Sequence, residues 1–261
     1  MVALVTGASS GIGRDMARYL NKLGYNLIIT ARDEQKLKEL KEELEIKKEK
    51  NQYNNTSIDI FIADLRKEQE CIELYKHVKE KYKNIDILIN NAGFGAFGSF
   101  LETDLETELN MIDVNIKAVH ILTKLFIQDM VRENKGTILN VSSVAGFMPG
   151  PLMATYYGTK NYVFRLSEAL REELRKKKSN VKISVLCPGP VKTNFNKVAK
   201  VKFNLHEASS QYVAKYAIDK LLKHKFLIIP KFSIKMARFF SKITPDNILA
   251  KVCYHMQEKK R

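Results

Sequence analysis

Seven short apolar runs, each separated from the next by charged helix-forming sequence, constrain this chain more than any other feature. They are VALVT (2–6), NLIIT (26–30), IDIFIAD (58–64), IDILINN (85–91), TILNVSS (137–143), KISVLCPG (182–189) and KFLIIP (225–230). Between them the spacing predicts helices over 11–23, 34–49, 68–82, 105–133, 155–177 and 210–222. Strands that lose their polar alternation are buried on both faces, and helical crossovers between parallel strands supply that cover. The expected fold is α/β, a doubly wound parallel sheet of about seven strands with helices on both faces. Right-handed crossovers carry the strand C-termini to one edge, where a ligand is received at the reversal of strand order. No repeat or linker divides the chain, so 1–261 reads as one domain, with a polar loop at 51–55.

A net charge of +15 raises nucleic acid as a partner, but the lysines alternate with glutamates, as in KLKELKEELEIKKEK (36–50). That pattern is a solvated helix face with i,i+4 pairs, and no nucleic-acid-binding motif accompanies it, so none is expected as a partner. Cys71, Cys187 and Cys253 are odd in number and far apart, which argues against a disulfide framework and for a reducing, cytoplasmic setting. The five histidines show no metal-ligand spacing, and no metal is expected. No leader-like segment or apolar stretch near the ~20 residues of a membrane span is evident.

The run VTGASSGIG (5–13) lies between the first predicted strand and the first helix, where glycines permit positive φ and close approach of a ligand. Free N–H groups and the dipole at the helix start favour an anion such as a pyrophosphate. The spacing is T-G-x-x-x-G-x-G, at Thr6, Gly7, Gly11 and Gly13. Further on come NNAG (90–93), Asn115 within a helix, Ser143 in NVSS, Tyr156 and Lys160 as Y-x-x-x-K, and PGPVKT (188–193).

In these motifs, over residues 2 to about 195, the chain resembles the short-chain dehydrogenase/reductase family in its compact, Rossmann-like, NADP(H)-preferring form. The resemblance implies hydride transfer between NADP(H) and a carbonyl or secondary alcohol, with Ser143, Tyr156, Lys160 and Asn115 as the catalytic set. Taken bottom-up, Tyr156 and Lys160 share one helix face a turn apart, and an ammonium beside a phenol favours the phenolate, so Tyr156 can exchange a proton. Tyr157 competes, being three residues from Lys160, but the family spacing and the thirteen-residue interval back to Ser143 select Tyr156; Ser142 competes with Ser143 by proximity. Ser142 suits a backbone bond better. Ser143 holds the substrate oxygen, and Asn115 looks like the residue that binds a water linking Lys160 to solvent.

For the cofactor, the resemblance places Gly7, Ser9, Ser10, Gly11, Ile12 and Gly13 at the phosphates, and Asp64 and Leu65 at the adenine. It sets Asn91, Ala92 and Gly93 at the adenosine, with Asn90 bracing strands instead. Pro188, Gly189, Val191 and Thr193 come over the nicotinamide, beside Tyr156 and Lys160. The second run ends IITARDEQ, where Arg32 suits a 2′-phosphate and so NADP(H), although an offset of one residue would set the Asp33 carboxylate near the ribose.

Residues 194–222 are expected as a substrate lid, with Phe195, Val198, Val201 and Phe203 closing on Phe94, Phe97, Phe147, Met148, Leu152 and Met153. These suit a small hydrophobic ketone, aldehyde or alcohol. The tail 231–261 is expected as a helical extension, whose first part sets Phe232, Met236, Phe239, Phe240 and Ile243 beside Lys231, Lys235, Arg238 and Lys242 at helical spacing, ending near Pro245. Packing of its apolar face on the body or a subunit is favoured over adsorption to an anionic membrane surface. The resemblance also implies a homodimer or homotetramer. A rival reading is a redox sensor that holds NADP(H) without turnover, although such a sensor needs no proton relay.

Overall fold

The computed structural model describes residues 1–50, 56–195, 199 and 207–258. The apolar runs form β1 (Val2–Thr6), β2 (Asn26–Ala31), β3 (Ile58–Ile62), β4 (Ile87–Asn90), β5 (Thr137–Val141) and β6 (Lys182–Leu186). Between them lie α1 (Gly11–Lys22), α2 (Glu34–Lys50), α3 (Glu68–Tyr82), α4 (Leu105–Ile112), α5 (Val119–Arg132) and α6 (Ala154–Lys176). A two-stranded ribbon, β7 (Val191–Lys192) with β8 (Ala208–Ser209), then leads to α7 (Ser210–Leu221) and β9 (Leu227–Ile228). Two helices close the chain, α8 (Phe232–Ile243) and α9 (Asp246–Glu258).

The main sheet is parallel throughout, in the order β3, β2, β1, β4, β5, β6, β9. The chain builds outward from β1 to β3 and then returns to set β4 on the other side of β1. That reversal opens a crevice beyond the C-terminal ends of β1 and β4.

Period-two geometry explains why the strands are apolar at nearly every position. Ala3 and Val5 of β1 join Met16 and Leu20 of α1 and Ala217 and Leu221 of α7 on one face. Leu4 joins Leu74 of α3 and Leu122 and Phe126 of α5 on the other. Each of the larger of these side chains contributes about 1.5–3 kcal/mol by leaving water, so both faces must be covered. Asn90 braces strands as expected: its side-chain amide donates to Asn140 Oδ1 at 2.8 Å and to Thr123 Oγ1 at 3.0 Å. Asn140 in turn donates to Ser167 Oγ at 3.0 Å, tying β4, β5, α5 and α6 together under the sheet edge.

Two elements differ from expectation. The last run is a strand only at Leu227 and Ile228, held by the Cys187 N–H on the Ile228 carbonyl at 2.9 Å, a short edge that limits further pairing. The helix expected over 105–133 is interrupted at Asp113–Ala118 by a π-helical turn, which re-aims Asn115 inward. All three cysteines are thiols buried in the interior.

Candidate active site

The chain end of β1 is stitched to that of β4. Thr6 Oγ1 accepts from the N–H groups of Asn91 and Ala92, both at 3.0 Å, while Asn91 Nδ2 donates to the Thr6 carbonyl at 2.9 Å and the Gly7 carbonyl at 3.2 Å. Gly7 takes φ +65°, and a Cβ there would lie 2.8 Å from Ala92 Cα. A Cβ at Gly13 would lie 2.5 Å from the Gly7 carbonyl oxygen, so the turn folds back on the first turn of α1 only with glycine. Ser10 caps α1 without a side-chain bond, and no acid stands in the first turn, so the helix start presents unshielded N–H groups to the crevice.

The crevice is a cavity of about 1340 Å³ that runs along the sheet edge. One end is lined by Gly7, Ser9, Ser10, Gly11, Ile12, Arg32, Asp64 and Leu65, then by Asn91, Ala92 and Gly93. Pro188, Gly189, Val191 and Thr193 line its middle, and Ser143, Tyr156 and Lys160 its far wall. Of the expected site residues, only Gly13 and Asn115 stand behind the wall instead of on it.

Tyr156 and Lys160 come from the first turns of α6, and Ser143 from the turn after β5. Burial pushes the Tyr156 phenol up to about 12, against the hydrogen bond of the Ser143 hydroxyl, which pulls it down. Burial lowers the Lys160 ammonium to about 8. Lys160 Nζ donates to the Val141 carbonyl at 3.0 Å and stands 5.9 Å from the Tyr156 ring centre. Desolvation outweighs the Ser143 hydrogen bond at the phenol and dominates at the ammonium. Beneath them Cys187 is fully buried, its thiol pushed up to about 12 for the same reason.

The two competitors are engaged elsewhere. Ser142 Oγ donates to the Lys160 carbonyl at 2.7 Å, and the Tyr157 hydroxyl receives the side-chain amide of Gln257 from α9. Asn115 is fully buried; its amide donates to the Phe94 carbonyl at 2.9 Å and Thr159 Oγ1 at 3.0 Å, and its Oδ1 accepts from the Phe94 N–H at 3.1 Å. Gly93 sits between Asn115 and Lys160, since a Cβ on it would lie 2.7 Å from Asn115 Oδ1 and 3.3 Å from Lys160 Nζ.

A family model described as short chain dehydrogenase matches residues 1–202. The chain belongs to the short-chain dehydrogenase/reductase family. It is an oxidoreductase of that family. Among relatives of this short-chain dehydrogenase/reductase, the Dehydrogenase/reductase SDR family member 11 of Gallus gallus is 35% identical over 217 residues, 82% of this chain and 81% of the relative. A short-chain dehydrogenase from Sphingobium yanoikuyae, solved with NADPH, superposes with a TM-score of 0.82 at 27% identity, covering 93% of this chain and 92% of that one. One from Burkholderia phymatum, solved with NAD, does so at 0.81 and 25% identity, with 91% of each covered. Solved members thus hold either dinucleotide, and the residues at the end of β2 bear on the choice.

In this short-chain dehydrogenase/reductase Arg32 is exposed on the cavity rim. Asp33 lines the cavity beside it and is engaged with Lys36, accepting the Lys36 N–H at 3.1 Å and pairing with the Lys36 ammonium. Asp64 is held by Arg66, whose guanidinium keeps that carboxyl below its ordinary range.

Beside Tyr156, Phe94, Met148, Met153 and Phe195 line the cavity, and the Phe195 ring lies 5.3 Å from that of Tyr156. Phe97, Phe147 and Leu152 do not line it: Phe147, for example, meets Phe164 edge-on at 5.1 Å instead. Val198, Val201 and Phe203 lie outside the described residues. The sequence reading missed the wall given by α9, where Leu249, Val252, Cys253 and Met256 face the cavity. Their three- and four-residue spacing was the signal.

Proposed function

We propose that the chain is an NADP(H)-dependent reductase that transfers hydride between NADP(H) and a hydrophobic ketone or aldehyde, or the matching secondary alcohol. The observation that carries this reading is one cavity with an uncapped helix N-terminus and an exposed arginine at one end, and Ser143, Tyr156 and Lys160 at the other. The glycine cradle that a Cβ would fill fits such a dinucleotide. When bound, it supplies or accepts the hydride.

The remaining chemistry belongs to the chain. The N–H groups of Ser9 to Ile12 and the α1 dipole hold the pyrophosphate, and Arg32 meets the 2′-phosphate, a role supported by its exposure on the cavity rim and by the neutralisation of the neighbouring Asp33 carboxylate by Lys36. Asp64, Leu65 and Asn91 to Gly93 border the adenosine, and the Pro188 to Thr193 loop borders the nicotinamide. Ser143 donates to the substrate oxygen as charge develops there. Tyr156 gives that oxygen its proton during reduction, a role suited to a phenol held protonated by burial. The Lys160 ammonium stabilises the phenolate left behind. Asn115 positions the Phe94 backbone and the π turn beside Lys160, where a water can refill the proton from solvent.

Phe195, at the start of the expected lid, closes on Tyr156, whereas α7 at the far end of 194–222 packs against α1 and the sheet as core instead of lid. The apolar lining supports a hydrophobic substrate. The exposed stripe Leu105, Leu109 and Ile112 on α4 supports assembly of copies into a dimer or tetramer.

Incubation with NADPH or NADH and a panel of ketones, followed by nicotinamide absorbance, tests the reading. Turnover should favour NADPH, and Arg32→Asp should lower the NADPH/NADH ratio of kcat/KM by on the order of tenfold or more through the lost ion pair. An unchanged ratio removes Arg32 from cofactor choice. Binding of NADPH with no turnover of any ketone is the sensor result and contradicts the proposal.

A further inference from the structure

The favoured expectation for the tail, that the apolar face of α8 packs on the body, describes only part of the helix. Its inward side is Ile234, seated over Gly189, and Arg238, whose guanidinium lies 5.3 Å from the Phe147 ring centre and 5.7 Å from that of Phe164. The larger apolar side chains point out. Phe232, Phe239, Phe240 and Ile243 are 73%, 57%, 53% and 63% exposed, and no residue of α8 is buried. Ile248, Val252 and Met256 of α9, all exposed, add to the apolar surface of these two helices.

Two observations indicate what covers this surface. First, residues 220–245 contain seven lysines and arginines and no aspartate or glutamate, and Lys235 and Lys242 are exposed on the same helix as the phenylalanines. Second, Phe240, Val252 and Met256 are exposed and yet line the cavity, so apolar surface continues from outside the molecule to the substrate end of the site. We infer that the outer face of α8 and α9 docks on an anionic lipid bilayer, and that a hydrophobic substrate passes from the bilayer into the cavity along Phe240, Val252 and Met256. No helix among the described residues is long and apolar enough to cross a membrane, so the contact is one of adsorption. Apolar side chains enter the headgroup boundary while lysines meet anionic headgroups, the arrangement of an interfacial helix. A second copy seated on the same face would instead cover the residues at the cavity mouth.

Sedimentation of the full chain with vesicles of phosphatidylcholine and phosphatidylserine in equal parts tests this without reading turnover, so it succeeds or fails separately from the reductase proposal. The wild-type chain should bind these vesicles and bind phosphatidylcholine vesicles at least tenfold more weakly. Lys235→Gln with Lys242→Gln should weaken binding by roughly thirtyfold. Phe232→Ser with Phe239→Ser, neither at the cavity, should abolish it, while Lys38→Gln with Lys41→Gln on α2 leaves it unchanged. Circular dichroism and thermal unfolding confirm that each variant is folded. The inference is overturned if the wild type ignores both vesicles, if the α8 variants bind as well as the wild type, or if this face instead forms a dimer that Phe239→Ser splits.

Discussion

At the scale of single residues, burial governs the site. Lys160 keeps its proton to about 10.5 when exposed and gives it up near 8 in the fold. Below pH 8 both the folded and unfolded states hold the proton, and the folded state bears the whole penalty, on the order of 3 kcal/mol. Between pH 8 and 10.5 the unfolded chain binds more protons, so this group's contribution makes stability rise with pH. Lys160→Met should therefore raise Tm at pH 7 by a few degrees, less what the lost bond to the Val141 carbonyl costs, about 1 kcal/mol. In thermal melts across pH the gain should shrink above pH 8; a constant gain would contradict a buried ammonium. In the wild type, kcat/KM for reduction should fall as pH passes about 8. The pairing of Tyr156 with Lys160 was legible because helix period is local. Their titration was not, since it follows from desolvation by parts of the chain far away in sequence, with Val141 of β5 and Cys187 after β6 among their neighbours.

At the scale of elements, the strands were legible to within a few residues because burial on both faces leaves continuous apolar runs. The π turn at Asp113–Ala118 was not, because the Asn115 bond to the backbone of Phe94 that accompanies it is a contact outside the helix's own periodicity. Nor was the role of α9, whose Gln257 reaches Tyr157 a hundred residues earlier in the chain. That bond engages Tyr157, the rival that the family spacing back to Ser143 sets aside in favour of Tyr156. Ending the chain at Pro245 removes α9 and with it one wall of the cavity. KM for a bulky ketone should rise about tenfold or more, as when apolar pocket contacts are lost. The Kd for NADPH should stay within about twofold, because Arg32 and the α1 N-terminus lie at the other end. A matched loss of NADPH binding would show that α9 supports the whole fold instead of the substrate wall.

At the scale of the molecule, one topological event creates the site. Reversal of strand order between β1 and β4 opens the crevice, the glycine turn and Asn91 line its start, and β5 with α6 brings Ser143, Tyr156 and Lys160 to its far wall. The central claim is that this wall moves a proton at Tyr156 while the opposite end only binds. The most direct measurement is turnover of a hydrophobic ketone with NADPH by the wild type and by Tyr156→Phe, together with the Kd for NADPH of each. The account predicts that the variant binds NADPH within about twofold of the wild type and loses kcat by roughly 10²–10⁴-fold. Wild-type turnover retained by Tyr156→Phe would contradict it.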